Sequence, residues 1–419
     1  MEKLIFLLIV LFVIGEYLFS TILQILNIRY KGKTTPEEIR KIYEEERYRK
    51  SMAYEREKTR LGILSKSVST LLILILLFSG GFGALDGYLR NITEDPLWLP
   101  LLYFAVLYAA NSLISFPFSL YETFVIEEKY GFNKSTLKLF LIDKLKGLLL
   151  ALLIGGGLMA ILITLYNTMP QYFWIIAWGV VTFFTLFFAT FYTSLLVPLF
   201  NKLEPLPEGS LQRAIHKLSR ELYFPLKNIY VMDNSKRSSK SNAFFSGLGR
   251  QKSIVLFDTL LQNHDEDEVQ AILAHEIGHY KKKHIYKSML LSTLQTGIIF
   301  FLLGYILQSP DFAHALGAAR PSFHINLIAF GLLFSPLSTL LSIGMNAFSR
   351  KNEYEADEFA ARHFSAIALQ KALMKLASDN LSNLEPHPAY AFVYYSHPPV
   401  LQRLRALDKL KREESDNDN

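Results

Sequence analysis

His275-Glu276-Ile277-Gly278-His279 is the stretch whose residue types and spacing can do chemistry. On a helix, residues four apart share a face, so both imidazoles can reach a single metal ion. Glu276 sits beside them, where its carboxylate can take a proton from a water that the ion has acidified. The chemistry implied is metal-assisted hydrolysis. The surroundings read as a helix over Asp265–His284. Asp265, Glu266, Asp267 and Glu268 crowd its first turn and Lys281, Lys282 and Lys283 its last, as the helix dipole prefers. Val269, Leu273, Ile277 and Tyr280 supply an apolar stripe. Two surface histidines on a solvated helix would show the same five letters, so the remaining ligands decide the matter.

A catalytic zinc ion takes three protein ligands and keeps one position open. The chain has no cysteine, so the third ligand must be His, Asp or Glu. His284 follows His279 by five residues and is expected to point away from the shared face. The longer metalloprotease pattern also fails there, since it requires Gly where Lys282 stands and His where Ile285 stands. Asn352–Ala361 is the better source. Glu353 and Asp357 lie one helical turn apart, so one could bind metal while the other accepts a hydrogen bond from a ligand histidine. Glu355 and Glu358 fall on another face with Arg362, where ion pairs within the helix account for them. Spacing alone does not choose between Glu353 and Glu355. His397 precedes Pro398 and Pro399, which hold the segment extended. A histidine fixed there can donate to an oxyanion; packing against Tyr394 and Tyr395 is the structural alternative.

The elements that must position these residues are mostly membrane spans. Of 419 residues 51% are hydrophobic, more than a soluble domain needs, while the 20% charged fraction requires an aqueous part. Seven stretches are long and apolar enough to cross: Leu4–Leu26, Ser67–Leu89, Leu97–Phe124, Leu148–Tyr166, Tyr172–Phe200, Tyr286–Gln308 and Phe323–Phe348. The first reads as a retained anchor, because it lacks a small-residue cleavage site. Arg29–Lys66 carries twelve Lys/Arg and Lys129–Lys146 five, against two in the connections 90–96, 167–171 and 309–321 together. The rule that positive loops stay inside therefore predicts a cytosolic zinc site and C-terminus, with the N-terminus outside. The net charge of +6 belongs to those loops; no nucleic-acid module is present and no nucleic-acid partner is expected.

Four segments follow: 1–200, spans one to five with cytosolic loops 29–66 and 125–146; 201–285, the first part of a metalloprotease domain; 286–348, spans six and seven; and 349–419, its second part. A two-span hairpin returns the chain to the side it left, so the tail can complete a site begun before span six. Within the first part, Ser210–Leu222 reads as a helix, Asn228–Asp233 and Ser253–Phe257 as strands, and Ser235–Arg250 as a connection. Arg29–Arg60 reads as a charged, solvated helix.

His275–His279, Glu353-Tyr354-Glu355-Ala356-Asp357 and Ser396-His397-Pro398-Pro399 together resemble the type I CAAX prenyl proteases, integral-membrane zinc metalloendopeptidases. Val125–Lys134, Pro198–Lys202, Lys236–Ala243 and Ile254–Leu260 extend the resemblance over nearly the whole chain. It implies an α-helical membrane protein whose seven helices form a hydrated barrel, capped by a mainly helical zinc domain with a small β-element. By the same resemblance, His275, His279 and Glu353 are the ligands of one Zn2+, Glu276 the general base, and His397 a transition-state stabiliser. Asp357 orients a ligand histidine, Asn242 and Ala243 hydrogen-bond the substrate backbone, and Arg403 is a basic residue on the substrate side. The partners implied are the lipid bilayer and a peptide or protein substrate, prenylated near its C-terminus. The chain is expected to be a monomer, in a bacterial inner membrane or an endoplasmic-reticulum membrane according to host.

Three rival readings remain. An intramembrane protease would place the histidine motif inside a span with an aspartate such as Asp86, but the three lysines hold that motif in water. A transporter or scaffold with a structural metal would line a path with Glu16, Asp86, Asn111, Gln295, Asn326 and Asn346. Structural zinc sites are normally closed by four ligands, whereas three are evident. A general membrane quality-control metalloprotease is the third.

Overall fold

The computed structural model describes residues 1–30, 36–40, 42–246 and 252–417. Among them, seven helices are long and apolar enough to cross a membrane: Glu2–Arg29, Glu45–Phe78, Trp98–Tyr130, Leu137–Thr168, Phe173–Phe200, His284–Leu307 and the helical run Phe323–Asp379. Each matches one predicted span in order. Span two differs at its far end. The chain breaks at Ser79-Gly80-Gly81, where Gly80 takes φ 66°, and a separate helix covers Gly81–Arg90. A left-handed backbone costs glycine nothing, so the break falls there although hydropathy continues to Leu89. Span two also begins far inside the charged stretch, as one helix from Glu45; positions 31–35 and 41 of that stretch lie outside the described residues.

The Gly81–Arg90 helix is tied by a buried polar group. Asp86 receives His324 Nε2 at 2.7 Å and Arg90 Nε at 2.8 Å, and Arg90 also bonds Ser322. Polar side chains in the spans bond from helix to helix: Thr339 Oγ1 donates to Glu16 at 3.1 Å, and Asn326 Nδ2 to the carbonyl of Ser309 at 3.0 Å. In an apolar medium such groups must be satisfied internally.

The aqueous part holds a four-stranded sheet of order β1-β2-β4-β3, with β1 Leu203–Pro205, β2 Leu226–Met232, β3 Ala243–Ser246 and β4 Lys252–Phe257. β2 and β4 run parallel, and β3 lies antiparallel to β4 as an outer strand. Residues 247–250 of the predicted connection lie outside the described residues. β1 has no signal in the sequence, because three residues ending in proline carry no alternation to read. One apolar core joins Ile215, Ile254, Leu256, Leu273 and Ile277 to Phe359, Leu369 and Leu407. Residues before span six and after span seven thus share a core, through burial of their apolar faces.

Candidate active site

The histidine helix, Glu266–Lys281, begins at Asp265, whose side chain accepts from Glu268 N at 2.9 Å while Glu268 Oε2 accepts from Asp265 N. This reciprocal cap fixes where the helix starts, and hence which face His275 and His279 share. Val269, Leu273 and Ile277 are buried on its other side. The helix Phe323–Ala360 packs across it at Gly278. A Cβ on Gly278 would stand 3.1 Å from Ala356 Cα, Ala356 O and Phe359 Cβ. A side chain there would force its neighbours to give by a few tenths of an ångström, and the close approach brings Glu353 and Asp357 over the histidines.

His275, His279 and Glu353 each offer one ligand atom, all within 4.8 Å of one another, and among the described residues they are the one such group. His275 Nε2 and His279 Nε2 are 3.2 Å apart, and both face Glu353, at 3.5 and 3.3 Å. Glu353 is buried, and its Oε2 finds no properly directed hydrogen bond although His397 Nδ1 is 2.9 Å away. Two nitrogens and an orphaned buried oxygen converging on one point fit a tetrahedral zinc ion with one open position.

Each group around these ligands has a visible cause for its charge state. Asp357 accepts from His275 Nδ1 at 2.8 Å and from Arg403 Nε and Nη2 at 2.7 and 2.6 Å. Burial would raise the Asp357 pKa, but Arg403 and His275 outweigh it and hold the carboxyl ionised. Burial would likewise lower the His275 pKa; the Asp357 and Glu353 carboxylates beside it outweigh that and raise it to about 9. Glu353, although buried, is held far below the usual carboxylate range by His275, His279 and His397.

Arg403, grouped by sequence with the substrate-binding residues, is buried behind the ligands and clamped on Asp357. Glu355 and Glu358 form the expected ion pairs within the helix, with Lys351 at 3.8 Å and Arg362 at 2.9 Å, but Glu355 also accepts from His284 Nε2 at 3.1 Å. His284 does not point away. Lys283 adopts φ 58°, the histidine helix ends, and a new helix starting at His284 returns its ring to within 3.0 Å of His279 Nδ1. Extending the helical wheel through Lys283 hides this contact, and no residue type at Lys281–Lys283 signals the turn.

Glu276 and His279 line a cavity of about 420 Å³ with Phe244, Phe245, Lys252 and Tyr280. Its wall is β3, the outer strand, with Asn242 exposed just before Ala243. That strand is anchored from the membrane side. Arg237 makes a bidentate pair with Asp143, Lys134 N donates to Arg237 O, and Ser239 N donates to Phe132 O. Lys240 Nζ reaches Tyr54 and Glu127 at 2.7 and 2.9 Å. His397 is fixed from the helix bearing Glu353, where Arg350 Nη1 donates to Tyr395 O at 2.5 Å and Asn346 Nδ2 to Val393 O at 2.8 Å.

Comparison with known proteins covers nearly the whole chain. The family model for the CAAX prenyl protease N-terminal region, with five membrane helices, matches residues 24–202, and that for peptidase family M48 matches 205–411. The CAAX prenyl protease 1 homolog of Arabidopsis thaliana is 36% identical, covering 95% of this chain and 96% of its own. The Homo sapiens homolog is 34% identical, over 98% and 97%. The crystal structure of S. mikatae Ste24p superposes with a TM-score of 0.90 at 32% identity, covering 96% of this chain and 99% of that one. With two family models spanning both halves and relatives aligned end to end, the chain belongs to the CAAX prenyl protease family of M48 peptidases, integral-membrane metalloendopeptidases.

Proposed function

We propose that this protein hydrolyses peptide bonds near the C-terminus of prenylated CAAX-type proteins, with its zinc site and tail in the cytosol and its N-terminus outside. The observation that carries the reading is the convergence of His275, His279 and Glu353 beneath an outer β-strand, on a chain aligned throughout with proteins named for that activity. His275, His279 and Glu353 would hold one zinc ion. When bound, the ion supplies Lewis acidity toward the scissile carbonyl and the attacking water.

The remaining work falls to the chain's own groups. Glu276, lining the cavity, takes the proton of the attacking water and passes it to the leaving amine. His397 donates to the oxygen that gains charge, from a turn that Arg350 fixes. Asp357 holds the Nδ1 proton of His275, and Arg403 holds Asp357. The free edge of β3, with Asn242 and Ala243, accepts the substrate as an added strand. Segments 201–285 and 349–419 act as one catalytic domain, and 1–200 with 286–348 as the membrane part that admits the lipid. One chain suffices for the whole site, in keeping with a monomer.

The test compares a prenylated peptide with its unprenylated twin, using the full-length protein in lipid and a Glu276→Ala control. Faster cleavage of the prenylated peptide, abolished in the control, is expected. Equal rates would make the protein a general membrane peptidase, and full activity of the control would remove Glu276 as the base.

A further inference from the structure

The two ligand histidines are supported in different ways. His275 gives its Nδ1 proton directly to a carboxylate, Asp357, at 2.8 Å. His279 has no carboxylate at that distance on its Nδ1 side. Its Nδ1 faces His284 Nδ1 at 3.0 Å, and His284 Nε2 faces Glu355 Oε2 at 3.1 Å. We propose that His284 and Glu355 form a positioning relay for His279, fixing the ring and tautomer with which it meets the metal. The proposal rests on His279 being a ligand.

The hydrogen positions along this relay have one consistent assignment. With Nε2 of His279 turned to the metal point, its proton lies on Nδ1 and is donated to Nδ1 of His284. His284 then carries its own proton on Nε2 and donates it to the Glu355 carboxylate. Every atom in the line has one role, and both imidazoles stay neutral. Burial favours the same arrangement, since His284 is 3% exposed and a neutral ring bonded at both nitrogens leaves no buried polar atom unpaired.

The geometry also explains why a histidine stands between ligand and carboxylate. Asp357 follows Glu353 by one turn and faces the histidine helix, whereas Glu355, two residues on, points to another side of the same helix. From there a glutamate does not reach His279, and the imidazole spans the gap. The left-handed turn at Lys283 delivers that imidazole, because it ends one helix and starts the next with His284 inside the site.

The experiment measures zinc affinity of the full-length protein in detergent by competition with a chromophoric chelator, and records the visible spectrum of the cobalt-substituted form. His284→Leu is expected to weaken zinc binding about 10- to 100-fold, the usual cost of losing an outer partner of a ligand. It should also alter the cobalt bands. His284→Gln, which restores an acceptor for Nδ1–H, should recover most of the affinity. Glu355→Leu should weaken binding in the same direction, and the double variant should be no weaker than His284→Leu alone, because Glu355 acts only through His284. Additive losses would overturn the relay, as would unchanged affinity and spectrum in His284→Leu. A second equivalent of zinc that vanishes in His284→Leu would make these residues ligands of another ion and would overturn the relay equally. His279→Ala is the control for the underlying reading: if it retains zinc normally, His279 is not a ligand and that reading fails on its own.

Discussion

Protons compete with metal at His275, whose pKa of about 9 reflects the carboxylates beside it. Below that pH a proton must leave before the nitrogen can bind. Zinc affinity should therefore fall about tenfold per pH unit from pH 9 downward, and level off above it. Asp357→Asn weakens the hold on that proton and should move the onset of the fall to lower pH, which competition titrations at several pH values would reveal. His397 makes a different prediction. It lies outside the convergent ligand group, so His397→Ala should keep full zinc while turnover drops by about two to three powers of ten. Zinc loss in that variant would make His397 a ligand. The convergence of His275, His279 and Glu353 could be expected from spacing and resemblance, because a helical turn is a local fact. The choice of Glu353 over Glu355 was not local. It depends on which face of the helix meets the histidines, and a wheel shows two faces without saying what packs on either.

Gly278 sets the distance between the two helices that build the site. Its missing Cβ admits Ala356 backbone at 3.1 Å, so Gly278→Val should push Glu353 and Asp357 away from the histidines. Overpacking of this kind costs about 1–3 kcal/mol, and zinc stoichiometry should fall together with the thermal midpoint. Normal zinc content in Gly278→Val would show that the helices can part without losing the ligand. The capped start of the histidine helix was legible, since Asp265 and Glu268 are its written signal. The end was not. The hydropathy of span two likewise runs on past Ser79-Gly80-Gly81, and only the φ of Gly80 ends the helix. Both misreadings have one cause: periodicity describes the interior of an element and says little about a single left-handed residue at its end.

At the scale of the molecule, seven spans were legible because apolar length is a composition-level signal. What the polar residues inside them do was not. In a hydrated barrel Glu16 and Asn346 face water; both are half-buried, Glu16 bonding Thr339 and lying 3.4 Å from Lys66, and Asn346 holding the segment before His397. Asn111 behaves differently. It is exposed and lines a cavity of about 340 Å³ with Ser69, Leu107 and Leu327, between spans two, three and seven. In a chain without cysteine, Asn111→Cys should react with a water-soluble maleimide if that space is hydrated, whereas Asn326→Cys, replacing a buried side chain bonded to three carbonyls, should not. Equal silence at both would describe a dry bundle.

Span seven does not stop at the membrane surface. The helix that starts at Phe323 runs unbroken to Ala360 and carries Glu353 and Asp357 on the same rod as its lipid-facing turns. Such a rod is a lever. At about 1.5 Å per residue, Glu353 stands roughly 25 Å beyond Pro336, so a tilt change of about 5° would carry it roughly 2 Å. That distance separates a bound ion from a lost one. The bilayer's own thickness, one influence on helix tilt, thereby becomes a mechanical input to the hydrolytic centre. In vesicles of graded acyl-chain length, zinc affinity should peak at one thickness and fall on either side. A flat profile would mean that the rod bends at Pro336 and spares the metal from the membrane's strain.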